Sequence, residues 1–117
     1  MTTATNPTNP GFWAGLDRPI MAMAPLAGVT DAAFRPLIAK YGKPDILFTE
    51  FVSCDGLCSP GREKLLPDFW YDDSERPIVA QIFGSRPENF LETAQLVKEL
   101  GFDGVDINTG CPDKNVE

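Results

Sequence analysis

PIVAQIFGSRPENFLETAQLVKELGFDGVDIN, residues 77–108, decides the fold. It opens with Pro77 to Phe83, a short apolar run of the kind buried on both faces of a parallel sheet. Ser85-Arg86-Pro87-Glu88 then has the S-x-x-E form of a capping box, with proline in the first turn of a helix. Phe90, Leu91, Ala94, Val97 and Leu100 recur at helical spacing, and Gly101 stops the run. Gly104 to Asn108 is apolar and short again. Strand, helix and strand within about thirty residues read as one crossover between parallel strands.

The same pattern extends toward the N-terminus. Pro19 to Ala24 and Asp45 to Phe51 are two further strand-like runs. Between them, Phe34 to Tyr41 reads as a helix stopped by Gly42, with Pro36 tolerated in its first turn. The connection from Ser53 to Glu75 is longer and rich in Gly, Pro and charge, so a short helix and a loop facing a site are expected there. The strands recur about every 30 residues, the length of one unit of an eight-unit barrel. The expected fold is therefore α/β: the N-terminal half of a (β/α)8 TIM barrel, about four βα units, spanning residues 18–117 after a flexible tail over 1–17. A doubly wound sheet has similar spacing, but its G-x-G-x-x-G signature after the first strand is absent.

Composition narrows the class. With 43% hydrophobic and 23% charged residues the chain is globular in character. No apolar run approaches the ~18 residues of a membrane helix. Met1 to Gly15 lacks the basic start and apolar core of a secretory signal, and a cytoplasmic protein is expected. A net charge of −7 argues against an autonomous nucleic-acid binder, which needs clustered Lys and Arg. Three cysteines without framework spacing read as reduced thiols. Cys54 and Cys58 form C-x-x-x-C, but with no histidine and no second pair a metal site is not expected.

The polar and unusual residues gather where each strand ends. These are Pro25-Leu26-Ala27-Gly28-Val29-Thr30-Asp31, Thr49-Glu50-Phe51-Val52-Ser53, Gln81 with Phe83-Gly84-Ser85, and Asn108-Thr109-Gly110-Cys111-Pro112. In α/β barrels that face carries the active site. Pro25 to Gly28 can offer backbone groups to a flat aromatic ligand, or be an ordinary βα turn. Gln81 sits in an apolar strand and needs partners, which a ligand edge or a structural bond can supply. Glu50 reads as a loop-holding residue. Asp106 and Asn108 alternate, so both face one side, with Asp106 as internal anchor and Asn108 as ligand contact. Cys111 lies in a Gly-Cys-Pro loop, where Gly110 permits an unusual backbone and Pro112 stiffens it. An ordinary thiol is mostly protonated at neutral pH, which suits a proton donor.

M-A-P-L-A-G-V-T-D (23–31), T-E-F-V-S (49–53), Q-I-F-G-S (81–85) and D-I-N-T-G-C-P (106–112), in that order, resemble the N-terminal half of the catalytic barrel of tRNA-dihydrouridine synthases. The resemblance covers about residues 18–117. It implies an FMN-dependent oxidoreductase, driven by NADPH, that reduces the C5–C6 bond of uridine in tRNA. It further implies that Pro25, Leu26 and Ala27 line the FMN and that Gln81 bonds the isoalloxazine. Asn108 would orient flavin or uracil, and Cys111 would be the general acid. Leu26 stands where methionine is commoner, a change of little volume. The family's later strands bring a lysine, a histidine and phosphate-binding backbone, and a helical tRNA-binding domain follows. None of these is expected within 117 residues, so tRNA would be gripped mainly from elsewhere. Two alternatives stay open: another FMN barrel dehydrogenase acting on a free pyrimidine, and an inactive piece of the synthase.

On this reading the 117-residue chain, expressed alone, is expected to be oligomeric or poorly soluble and free of FMN. Four units do not close a barrel, and open strand edges recruit other chains. Size-exclusion chromatography with light scattering and flavin absorbance checks this; a yellow monomer with stoichiometric FMN contradicts it.

Overall fold

A computed structural model of the chain describes residues 10–111. Its centre is the apolar run read first: β3 (Ile78–Phe83) is buried along nearly its whole length. Beside it lie β1 (Leu47–Phe48) and β2 (Val52–Ser53) on one edge and β4 (Gly104–Ile107) on the other, all parallel. β1 and β2 are two ends of one strand. Leu47 pairs with Ile78 and Val52 with Ile82, so five steps on one side run past four on the other. The extra residue is a bulge between the two segments. Thr49, fully buried, bridges it. Its N–H donates to the Val79 carbonyl (3.0 Å), and its hydroxyl accepts from the Gln81 N–H (3.1 Å), where a strand carbonyl would otherwise serve. The expected strand from Asp45 to Phe51 thus extends to Ser53 with an interruption.

The expected first strand, Pro19 to Ala24, needs correction. Among the described residues it contributes one isolated parallel bridge, Ala22 to Ile46, with flanking bonds from Met23 N–H to the Ile46 carbonyl (3.0 Å) and Asp45 N–H to the Met21 carbonyl (2.8 Å). Two causes are local. Pro19 and Pro25 have no N–H to give, and the Met21 N–H goes to the Asp45 carboxylate (2.8 Å) instead of a ladder. Residues Gly11–Gly15, placed in the tail by sequence, form a 3-10 turn in which Phe12 and Trp13 stack. With the bridge counted, neighbours in space follow chain order. A (β/α)8 barrel shows that order, whereas a doubly wound sheet reverses direction.

Helices cover one face of the sheet. α1 is Phe34–Gly42, α2 Cys54–Leu57, α3 Arg62–Leu65 and α4 Pro87–Glu99. Val52, Ala80 and Ile82 pack on this side with Cys54, Leu57, Phe69 and Val97. The register carries Val105 and Ile107 to the same side, at 44% and 52% exposure. The opposite face holds Val79, Gln81 and Phe83, with Asp106 beside Gln81.

The start of α4 is not the expected capping box. Arg86 is the N-cap and makes no side-chain cap. Ser85 lies one residue too early, and its N–H (3.0 Å) and hydroxyl (2.9 Å) both donate to Asp55 of α2. Asn89 Nδ2 donates to the same carboxylate (2.8 Å). These bonds, Asn89 first, hold Asp55 below the usual carboxylate range. A tertiary acceptor has displaced the local one. The helix end follows the reading: Gly101 has φ +84°, and Phe102 N–H reaches the Val97 carbonyl (3.3 Å) while Gly101 N–H reaches that of Lys98 (3.1 Å).

One buried ion pair joins the pieces. Arg35 of α1 and Glu75 are both fully enclosed, with Nε to Oε1 at 2.5 Å. Arg35 Nη1 donates to the Thr30 carbonyl (2.8 Å) and Nη2 to that of Trp70. Glu75 Oε2 accepts the Asp72 N–H (2.6 Å), closing a capping box on the 3-10 turn Asp73–Glu75. Arg35→Met would strand a buried carboxylate and two carbonyls. The expected loss is about 3–5 kcal/mol of unfolding free energy, measured by urea titration of the folded protein. A loss below ~1 kcal/mol would show that the pair behaves like a surface contact.

Candidate active site

The C-terminal ends of the strands carry three small constructions. The first is the turn after Ala22. Val29 and Thr30 N–H groups both donate to the Leu26 carbonyl (3.0 Å each), and the Thr30 hydroxyl accepts the Leu26 N–H (2.9 Å). Gly28 takes φ +73°, which a glycine adopts without strain, and its N–H donates to Glu50. Glu50 therefore holds a loop, as its sequence context suggested. Asp31 Oδ1 accepts from Ala33 (3.0 Å) and Phe34 (2.8 Å) and so starts α1. Of the backbone read as open to a ligand, the N–H and C=O of Leu26 are spent inside the turn. The Pro25 carbonyl and the Ala27 N–H have no partner among the described residues.

The second construction is on the face away from the helices. Gln81 is 7% exposed, and its Nε2 donates to Asp106 Oδ2 at 2.7 Å. Asp106 is thus the internal anchor the alternation suggested. The donor end of the amide is fixed, and its Oε1 accepts nothing among the described residues. Phe83 lies two residues further along β3 on the same side and meets Phe51 edge-on, with centroids 5.2 Å apart.

The third is the loop after β4. Asn108 N–H extends the ladder to the Ile82 carbonyl (2.9 Å). Its Oδ1 then accepts the N–H of Gly110 and of Cys111, both at 3.1 Å. This is an Asx turn, the side chain standing in for a backbone acceptor. It fixes the Cys111 backbone; Pro112, read from the sequence as stiffening this loop, lies outside the described residues. Cys111 is half-buried and opens on a cleft of about 520 Å³ lined also by Phe83, Gly84, Phe90, Ile107, Asn108 and Thr109.

The structure therefore unites Asn108 with Cys111, and Gln81 with Asp106. Neither Gln81 nor Pro25 to Ala27 borders the Cys111 cleft. Another cleft, about 440 Å³, lies among Phe69 to Asp73 and Leu100, in loops that precede strands rather than follow them. Cys54 is buried and Cys58 half-buried; burial is the main cause pushing both thiols up. Burial also pushes Asp68 up, with the Glu50 charge adding to it. Among the described residues no group of three or more His, Cys, Asp or Glu is placed to hold a metal, and no helix is long and apolar enough to cross a membrane.

Sequence reasoning missed Thr30, Thr49 and Arg35. A signal existed for Thr49, a hydroxyl inside an apolar run that had to find a partner. Arg35 gave none, because a lone arginine in a short helix ordinarily faces water.

Comparison with known proteins gives the family. The family described as dihydrouridine synthase (Dus) matches residues 22–117. The "Probable tRNA-dihydrouridine synthase 2" of Bacillus subtilis (strain 168) is 43% identical over 106 residues, 90% of this chain and 33% of that protein. "Probable tRNA-dihydrouridine synthase" proteins of Staphylococcus aureus (strain COL) and Staphylococcus epidermidis (strain RP62A) are each 40% identical over the same share of this chain and 32% of their own. The chain spans about a third of the length of these curated relatives. With residues 22–117 matched, the chain belongs to the dihydrouridine synthase family.

Proposed function

We propose that this chain supplies the first rim segments of a tRNA-dihydrouridine synthase, in which the C5–C6 bond of a tRNA uridine is reduced to 5,6-dihydrouridine. The observation that carries the reading is the Asn108–Cys111 turn. It fixes a half-buried thiol at the end of a strand, beside a cleft. The Cys111 Sγ–H gives its proton to C5 as a hydride arrives at C6, so that one hydride and one proton add across the double bond. FMN, when bound, supplies the hydride chemistry, and NADPH restores it.

The residues present fit FMN. The Gln81 amide, held by Asp106 through Nε2, turns an acceptor oxygen to the face away from the helices, which suits a ring N–H. The Ala27 N–H and Pro25 carbonyl suit the other polar atoms of a flat heterocycle. The Leu26 side chain, 52% exposed, offers apolar cover. We assign Asn108 a double role: its Oδ1 shapes the Cys111 loop, and its Nδ2 meets flavin or uracil. The strands belong to a (β/α)8 barrel whose inner face is the Gln81 side. The three free thiols go with a reducing, cytoplasmic setting. A stacked uracil must leave its neighbours to reach such a site, as in other base-modifying enzymes.

Two experiments on a chain of full family length that carries this segment test the reading. Cys111→Ala should keep FMN and its reduction by NADPH but form dihydrouridine about 10²–10⁴-fold more slowly. Cys54→Ala and Cys58→Ala should turn over like the parent. Wild-type uridine reduction by Cys111→Ala would remove the acid role. Gln81→Ala should weaken FMN binding by ~1–3 kcal/mol in a flavin titration. Unchanged affinity would leave the amide a structural bond to Asp106.

A further inference from the structure

We infer that Thr30, backed by Arg35 and flanked by Glu50, is a positioning residue for the flavin, acting through the Leu26–Thr30 turn; this rests on the FMN reading above. The turn is held from three directions. From inside, the Arg35 guanidinium grips the Thr30 carbonyl at 2.8 Å while Glu75 holds the guanidinium. Within the turn, the fully buried Thr30 hydroxyl takes the Leu26 N–H at 2.9 Å and lies 3.2 Å from the Leu26 carbonyl. From the next strand, Glu50 takes the Gly28 N–H.

These bonds sort the backbone of the turn. Both backbone groups of Leu26 and the Gly28 N–H are consumed, while the Ala27 N–H and the Pro25 carbonyl have no partner among the described residues. Free backbone groups are selective for a ligand only if the turn that carries them is rigid. A fully buried arginine is a costly way to fasten a surface turn, because its charge must leave water. Here its charge is compensated by Glu75 behind, and its second nitrogen is spent on the first rim loop rather than on the core. Thr30 has no contact with the Cys111 cleft, so the role concerns the cofactor edge and not proton donation.

The test uses a chain of full family length that carries this segment, with FMN affinity, the visible circular dichroism of bound FMN and the unfolding temperature measured together. Thr30→Val keeps the volume and removes the hydroxyl. It is expected to fold, to bind FMN about three- to tenfold more weakly, the worth of one hydrogen bond, and to change the dichroism of the bound flavin. Thr30→Ser restores the hydroxyl and should return both readings to the parent's. Glu50→Ala loosens the same turn from outside the core and should weaken FMN without unfolding the protein, which keeps the test decisive if Thr30→Val does not fold. Parent-like affinity and dichroism in Thr30→Val, or in Glu50→Ala where Thr30→Val does not fold, would overturn the positioning role while leaving the FMN reading intact. A parent protein that binds no FMN would overturn both.

Discussion

The guanidinium of Arg35 is the point at which otherwise separate parts of the chain meet. It has no exposed surface and reaches Glu75, Thr30 and Trp70. Those three residues belong to the turn after the first bridge and to the connection leading into β3. Neither segment has enough regular structure to fix itself: one is a single β-bridge, the other a series of short turns. A buried ion pair is a poor source of net stability but a strict source of geometry, since any other arrangement leaves a charge unpaired in the interior. The first rim loop therefore inherits its position from a charge pair in the interior.

The sheet imposes the second constraint. β3 is buried on both faces, so its register cannot slip without moving Gln81 to the helix side. The bulge opposite it solves a local problem. The strand carrying Thr49 must both continue the ladder and turn Glu50 toward Gly28, and one extra residue does both. The Thr49 hydroxyl then replaces the lost acceptor. Along the next strand, Asp106 fastens Gln81 and Asn108 fastens Cys111. The Cys111 loop and the Gln81 amide are thus each fastened by a residue of the same strand run, two positions apart.

Much of this was legible in the sequence because it is local. The apolar runs at 78–83 and 104–107, the helical period after Pro87 and the glycine at 101 each announce themselves within one segment. Period two put Asp106 and Asn108 on one side. What escaped depends on distant partners. Ser85 and Glu88 have the spacing of a capping box, yet Asp55, thirty residues earlier, takes the serine. Pro19 to Ala24 has strand composition, but strand identity needs a partner ladder, and here only Ala22 pairs. Asn108 was readable as a polar residue at the rim; that its oxygen would shape the cysteine loop depends on the φ/ψ of Thr109 and Gly110, which composition does not reveal. The clustering of unusual residues at strand ends was legible without knowing what holds them there.

On the proposed function, one face of this sheet is the bed of a flavin, with Gln81 beneath its polar edge and the Cys111 loop beside it. The most direct measurement is a crystal structure of a full-length family member carrying this segment, grown with FMN. The account predicts the ring system on the Val79–Gln81–Asp106 side, with a ring N–H about 3 Å from Gln81 Oε1 and the Ala27 N–H facing the ring. A flavin seated on the helix side of β4, or one that leaves Gln81 and Ala27 without contact, would contradict it.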